Sequence, residues 1–194
     1  MIKRLVSIIA VTACLVSLIS GCTVYLVPSK IPPLDTKAEG LAGPFDYITV
    51  SLVNAQTDDS NLSVKDLNGK DTGWVLSRNL WTKKLAEALA AELKARQAKV
   101  IRGAPVTIYL KITEVVYTGR TSFIGVIQFD VTASVTSNSG WTKTYVGRGD
   151  ASAWAPAGTT EDKNWNRAAN WTIRDVVRLI MSDPEFIAAL RMKR

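Results

Sequence analysis

The hydrophobic pattern after Gly103 is the feature that most constrains the fold. In residues 106–113 apolar side chains alternate with polar ones, and the alternation recurs in residues 123–137 and, more weakly, in residues 141–153. A period of two is typical of strands that bury one face. Because short connections join the three segments, the pattern predicts an antiparallel meander with one covered face.

Helical spacing is found on either side of this meander. Residues 77–97 contain no Gly or Pro, place their apolar side chains on one helical face, and begin with Ser77, a good helix N-cap. Residues 165–180 repeat that spacing. Asp183 and Pro184 then predict the start of a short third helix, because Asp caps free amides and Pro fits the first helical position.

The part of the chain before the first helix adds a strand and a hairpin. Residues 47–53 alternate as a half-buried strand does, and residues 62–67 and 70–75 flank Asn68-Gly69, a favoured hairpin turn. The order of elements predicts an α+β fold. We expect a two-layer sandwich with a mostly antiparallel sheet of about four main strands plus the short hairpin, two main helices on one face and a short C-terminal helix.

The first 22 residues have the features of an export signal. Lys3 and Arg4 precede an apolar run, residues 5–19, which is shorter than the roughly 20 residues of a membrane-spanning helix. The run ends in Leu18-Ile19-Ser20-Gly21-Cys22, which resembles the lipobox of bacterial lipoproteins. An ordinary cleaved signal, or a membrane anchor with a chance cysteine, are the alternatives.

The lipobox resemblance implies a particular anchor. It implies cleavage between Gly21 and Cys22, with a diacylglycerol and an N-acyl chain on Cys22 and no further cofactor. Two or more acyl chains hold a protein stably in a membrane. In lipoproteins of the enteric type, Thr23 after the cysteine implies the outer membrane, with the protein facing the periplasm.

The expected domain organisation follows from this signal. Residues 1–21 are the signal peptide, residues 22–44 are the lipidated cysteine and an extended Pro-rich tether, and residues 45–194 form a single periplasmic α+β domain. The apolar residues 24–27 have two further interpretations, since they suit a segment on the bilayer or an edge strand. We expect a plain tether.

Composition restricts the chemistry open to this chain. It contains no histidine among 194 residues, which removes His-based triads, Cys–His pairs and most zinc sites. The clustered carboxylates do not have the spacing of a calcium loop: Asp58, Asp59, Asp66 and Asp71. We therefore predict no catalytic residue, no metal site and no enzyme.

Charge and cysteine content fit an exported domain without disulfides. The formal charge of +7 falls to +5 when Lys3 and Arg4 leave with the signal. Cys14 leaves with them and Cys22 is used by the lipid, so packing alone must stabilise the domain. A periplasmic address makes nucleic acid an implausible partner, although an anionic glycolipid suits the mild positive charge.

Aromatic and basic residues give the candidate contact surfaces. Phe123 and Ile124 lie between two strands and Trp154 lies in the loop after the meander, where exposed apolar side chains often contact a protein or lipid. They alternatively fold back on the sheet edge. A set of basic residues around the first helix suits an anionic glycolipid or is a solvated helix face: Lys83, Lys84, Lys94, Arg96, Lys99 and Arg102.

The chain resembles the YajG family of small Gram-negative lipoproteins over nearly its whole length. The resemblance rests on the lipobox and on four structural motifs: Ile48-Thr-Val-Ser-Leu52, Ser77-Arg78-Asn79-Leu80, residues 145–153 and Ile180-Met-Ser-Asp183. The resemblance implies no particular activity, because none is established for this family. We therefore predict a non-enzymatic binding or assembly module of the envelope that contacts an envelope protein. A carrier of lipid or glycan in a sheet–helix groove is the alternative, and a peptidoglycan-modifying enzyme is the third hypothesis.

Overall fold

The computed structural model describes residues 24–35, 41, 43–57, 61–65, 71–120, 126–152 and 161–191. Among these residues, no helix is both long enough and apolar enough to cross a membrane. The elements of the described chain are, in order, β1 (Val24–Tyr25), β2 (Thr49–Asn54), β3 (Asn61–Lys65), β4 (Asp71–Ser77), α1 (Arg78–Ala95), β5 (Lys99–Val100), β6 (Val106–Arg120), β7 (Val126–Ser137), β8 (Thr142–Ser152), α2 (Glu161–Ser182) and α3 (Pro184–Arg191).

The main sheet has five strands in the order β5-β2-β6-β7-β8. β6, β7 and β8 form the predicted antiparallel meander. β2 runs parallel to β6, with Val50 opposite Val106, because helix α1 lies in the connection and returns the chain to the same end of the sheet. The α+β class and the mostly antiparallel sheet are confirmed.

The predicted hairpin forms, but it does not extend the main sheet. β3 and β4 pair antiparallel, while their expected turn at Asn68-Gly69 lies outside the described residues. β4 instead has β1 as its second neighbour, which gives a separate three-stranded sheet in the order β1-β4-β3.

Both predicted helix starts are confirmed by their caps. The Ser77 hydroxyl oxygen accepts a hydrogen bond from the amide of Leu80 at 3.2 Å. Asp183 accepts one from the amide of Glu185 at 2.9 Å, directly before Pro184. Each side chain satisfies an amide that has no partner within its own helix.

Aromatic side chains fill the layer between the sheet and the helices. Phe129 of β7 lies with its ring centroid 5.9 Å from that of Trp81 and 5.6 Å from that of Trp165. All three side chains are buried, as the helical spacing of apolar residues in both segments predicts for Trp81 and Trp165. Their contacts fasten α1 and α2 to the same strand.

Two glycines bring α2 directly onto β8. A Cβ atom on Gly149 would overlap the backbone of Ala168 and Thr172, and one on Gly147 would overlap Val176. In the sequence, these glycines interrupt the weak alternation of residues 141–153. In the structure they remove the side chains that would hold the helix away from it.

The expected tether differs from the structure in residues 24–35, which we name the strap. Val24 and Tyr25 pair with Trp74 and Val75 of β4, which is the edge-strand alternative. Leu26 is only 2% exposed. An apolar strand next to an open sheet edge gains both hydrogen bonds and burial, which a tether in solvent would forgo.

Candidate functional site

The strap continues over the domain, where a buried polar side chain holds its middle. The Asn170 side-chain oxygen accepts hydrogen bonds from the amides of Ser29 at 2.9 Å and Lys30 at 3.2 Å. Asn170 lies on α2, only 8% exposed. Earlier in the strap, the indole N–H of Trp81 donates to the carbonyl oxygen of Leu26 at 2.7 Å.

The end of the strap is held by both long helices. Arg174 of α2 donates from Nε to the carbonyl oxygen of Pro33 at 3.2 Å, and Glu92 of α1 accepts from the amide of Leu34 at 2.9 Å. Between strap and helices lies a groove of about 250 Å³. Its apolar lining is formed by Ile31, Pro32, Pro33, Leu34, Ala88, Ala91 and Val177.

Beside the strap, the surface on both sides of Trp171 forms a cleft, which we name the Trp171 cleft. On the strap side it is a hollow of about 460 Å³ between residues 29–32 and helix α2. On the other side it is a hollow of about 370 Å³ between α2 and residues 148–151 of β8. Arg167 and Trp171 line both hollows.

The spacing of residues in α2 places this aromatic and basic face outside. Arg167, Trp171, Arg174 and Arg178 follow one another at intervals of four, three and four residues, which puts them on one side of a helix. Trp171 is 36% exposed. The Arg174 guanidinium lies 5.0 Å from the indole centroid, a cation–π arrangement that fixes one face of the ring.

Several charges near the cleft are paired within the domain. Arg148 binds Asp130 with an Nε–Oδ1 distance of 2.8 Å, and this hydrogen bond raises the pKa of the guanidinium. Asp175 accepts from the amide of Arg148 at 2.9 Å and pairs with Arg178 at 2.7 Å. These contacts join β8 to β7 and α2 and pair the charges of Arg148, Asp130, Asp175 and Arg178.

Two cations of the cleft differ from these. In the part of the chain that the structure describes, neither the Lys30 ammonium nor the Arg167 guanidinium has a hydrogen-bond or ion-pair partner. Both groups line the strap-side hollow together with Trp171. The cleft therefore presents positive charge and an indole to whatever enters it.

A second polar cluster fastens α3 to β8. Tyr145 donates its hydroxyl proton to Asp183, and Lys143 binds the same carboxylate oxygen at 3.0 Å. Burial acts to raise the pKa of Asp183, but hydrogen bonds from Tyr145, Lys143 and the Glu185 amide hold it below its ordinary value. Burial and then the bond to Asp183 raise the pKa of Tyr145. Perturbed pKa values can mark a catalytic site. Here the carboxylate is 7% exposed and caps α3, so its role is structural.

Most of the residues predicted as sites lie outside the described residues. These are Gly21 and Cys22 of the lipobox and Phe123, Ile124 and Trp154 of the loops. They stay predictions.

One member of the predicted basic patch is misplaced. Arg96 is 5% exposed, and its guanidinium lies 5.8 Å from the centroid of the Phe45 ring. It is the C-cap residue of α1 and is buried there, next to the exposed Lys94 and Ala95. Lys84 pairs with Glu87 at 2.7 Å, while Lys83, Lys94 and Lys99 are exposed.

The Trp171 cleft is absent from the sequence-based predictions. The interval of four, three and four residues in α2 was a readable signal for its helical wall. Nothing local indicated Lys30, since the contacts that bring the strap to Asn170 join residues 140 and 141 positions apart.

The side chains of the cleft offer hydrogen-bond donors, positive charge and an aromatic face. Within the described ranges, no group of three or more His, Cys, Asp or Glu side chains is placed to hold a metal ion. Guanidinium and ammonium groups donate hydrogen bonds and accept none, and an indole adds a flat apolar face. Such a set has the charge and donors that suit an anion.

Comparisons with known proteins support the fold alone. No protein-family model and no curated protein matches the chain. The crystal structure of protein XCC0632 from Xanthomonas campestris, of the DUF330 family, aligns with a TM-score of 0.51 at 10% identity, covering 82% of this chain and 93% of that one. A minor lipoprotein of Acinetobacter baumannii aligns with a TM-score of 0.41 at 17% identity, covering 71% and 90%, which is too loose to carry an argument. The chain therefore shares its α+β fold with the Xanthomonas protein.

Proposed function

We propose that this chain is a lipid-anchored, non-enzymatic binding module of a Gram-negative envelope, similar to the YajG family. It is anchored at Cys22 in the outer membrane and faces the periplasm. The basic residues, the apolar run, the lipobox and Thr23, which follow one another in the sequence, support this location. The absence of histidine supports a role without catalysis.

The docked strap is the observation that carries the proposal. Val24 is hydrogen-bonded into the domain only two residues after Cys22. Two residues span at most about 7 Å. Acyl chains on Cys22 would therefore hold the β1 side of the domain against the bilayer. A membrane-bound protein with a fixed orientation suits a binding module that acts at the membrane surface.

The carrier alternative receives no such support. The described layer between sheet and helices is filled by fully buried side chains such as Trp81 and Phe129. An acyl chain inside that layer would have to displace them, which close-packed interiors resist. The open Trp171 cleft instead offers recognition at the surface.

Replacement of Cys22 tests the anchor. Cells that express Cys22→Ser and are fed radiolabelled palmitate should yield an unlabelled precursor, because the thiol that takes up the lipid is gone. Cys14→Ser is the matched control and should be labelled and cleaved like the parent. Palmitate labelling of Cys22→Ser, or an unlabelled parent protein, would falsify the proposal.

A further inference from the structure

We propose that the Trp171 cleft binds the phosphate headgroup of an anionic lipid in the bilayer to which the chain is anchored. The proposal rests on the proposed function, because the anchor brings the cleft to the membrane. It assigns the cleft a ligand class, a phosphodiester that carries a net negative charge.

The groups in the cleft suit this ligand. Guanidinium groups bind phosphate oxygens through parallel N–H donors, and a lysine ammonium adds a point charge. Tryptophan favours the boundary between headgroups and acyl chains, where one side of the ring is apolar and the other wet. Trp171 lies between Arg167 and Arg174 on one helical face, with Lys30 across the strap-side hollow.

Charge complementarity selects an anion over a neutral headgroup. The Arg148, Asp130, Asp175 and Arg178 side chains are held in internal ion pairs. Lys30 and Arg167 have no such partner among the described residues, so their charges are available to a ligand. A zwitterionic headgroup brings its own cation and would gain less from them.

The strap gives the cleft its position relative to the membrane. Lys30 lies eight residues after Cys22, a stretch of at most about 28 Å if fully extended. Because residues 29–32 of the strap form one wall of the cleft, that wall follows the proposed anchor closely in the chain. The strap-side hollow of about 460 Å³ lies within the range of volumes of small-ligand sites.

The test uses the full mature protein, purified with its lipid in a neutral detergent and checked by mass. Dihexanoyl phosphatidylglycerol is titrated while the indole N–H resonance of Trp171 and the Nε–H resonance of Arg167 are followed by NMR. Trp171→Phe assigns the indole signal. Dihexanoyl phosphatidylcholine, inorganic phosphate and a hexaglutamate peptide are titrated in parallel.

We expect phosphatidylglycerol to shift both signals to saturation and phosphatidylcholine to leave them nearly unchanged. The double variant Lys30→Gln/Arg167→Gln should bind phosphatidylglycerol at least about tenfold more weakly than the parent. Each cation near an anionic headgroup raises the affinity by roughly a few-fold to tenfold. Lys94→Gln/Lys99→Gln removes the same charge elsewhere and should stay within about twofold of the parent.

Three results would overturn the proposal. Equal affinity for phosphatidylglycerol and phosphatidylcholine would show that the cleft does not discriminate by the net charge of the headgroup. Equal affinity for inorganic phosphate would make this a free-anion site, and tighter binding of a hexaglutamate peptide would make it a protein-binding surface. Failure of lipidation appears separately, in the mass of the purified protein, and counts against the anchor alone.

Discussion

Single atoms decide how closely the two layers of this protein approach. At Gly149 the space that a methyl group would need is occupied by the backbone of α2. Backbone cannot rotate away as a side chain can, so the helix itself would have to move. The glycine is therefore required by the packing of α2 and indirectly by the cleft that α2 builds.

Replacing Gly149 with Ala should destabilise the protein strongly. We expect a loss on the order of 3 kcal/mol in the free energy of unfolding, at the upper end of overpacked sites. Urea denaturation followed by tryptophan fluorescence measures it. Gly43→Ala is the matched control, because nothing lies near its added Cβ, and it should change stability by less than about 0.5 kcal/mol. Equal stability of the two variants would refute the close-approach argument.

Asp183 should make part of the stability depend on pH. Its pKa is lowered in the folded state, so its contribution is complete above the unfolded value of about 4 and is lost as pH falls through the folded value. Asp183→Asn keeps a capping side chain but loses the charge. At about pH 7 it should cost roughly 1–3 kcal/mol.

The difference in unfolding free energy between parent and Asp183→Asn should shrink as pH is lowered from about 6 to about 3. Urea titrations at several pH values follow it. Asp150→Asn, at an exposed position, serves as control and should stay within about 0.5 kcal/mol of the parent throughout. A difference that stays constant down to the lowest pH would contradict the assignment.

At the scale of elements, the strap should open without unfolding of the domain. Asn170→Ala removes the acceptor for two strap amides, those of Ser29 and Lys30. We expect amide hydrogen exchange at these residues to become at least about tenfold faster, because a local opening costs less than global unfolding. Amides in β7 should keep their protection.

Asn164→Ala, on the same helix but without a strap contact, is the control for this experiment. It should leave exchange in the strap unchanged. If Asn170→Ala accelerated amide exchange in the strap and in β7 to the same extent, the strap would unfold only with the whole domain and would not be a separately held segment.

The elements differ in how far they can be predicted, and the cause is sequence distance. α1, the meander and the start of α3 were predictable because hydrophobic period and cap residues are local signals. The strap was not, because its partners Asn170 and Glu92 lie far along the chain. A Pro-rich segment has no hydrophobic period, so its sequence does not indicate whether it lies in solvent or docks on the domain.

The residues of the candidate site likewise differ in whether local sequence predicts them. The helical wall of the Trp171 cleft could be predicted from the spacing of Arg167, Trp171 and Arg174. Lys30 reaches the cleft only through the docking of the strap. The lipobox at Cys22 is a local motif, so its prediction from sequence remains independent of the fold.

For the whole molecule, a docked strap differs from a long flexible tether in how far the domain can lie from the membrane. A free tether over residues 22–44 would let the domain move several tens of ångströms from the membrane. With the strap docked, only Thr23 separates Val24 from Cys22, the proposed site of acylation. The orientation of the domain and the access of the cleft to headgroups both depend on this difference.

Neutron reflectometry on a supported bilayer tests this most directly. The mature protein, its lipidation verified by mass, is inserted through its own acyl chains, and the thickness of the water layer between headgroups and protein is measured. We predict protein density within about 10 Å of the headgroups. A hydrated gap of several tens of ångströms would contradict the docked strap and, with it, the proposed membrane-held module.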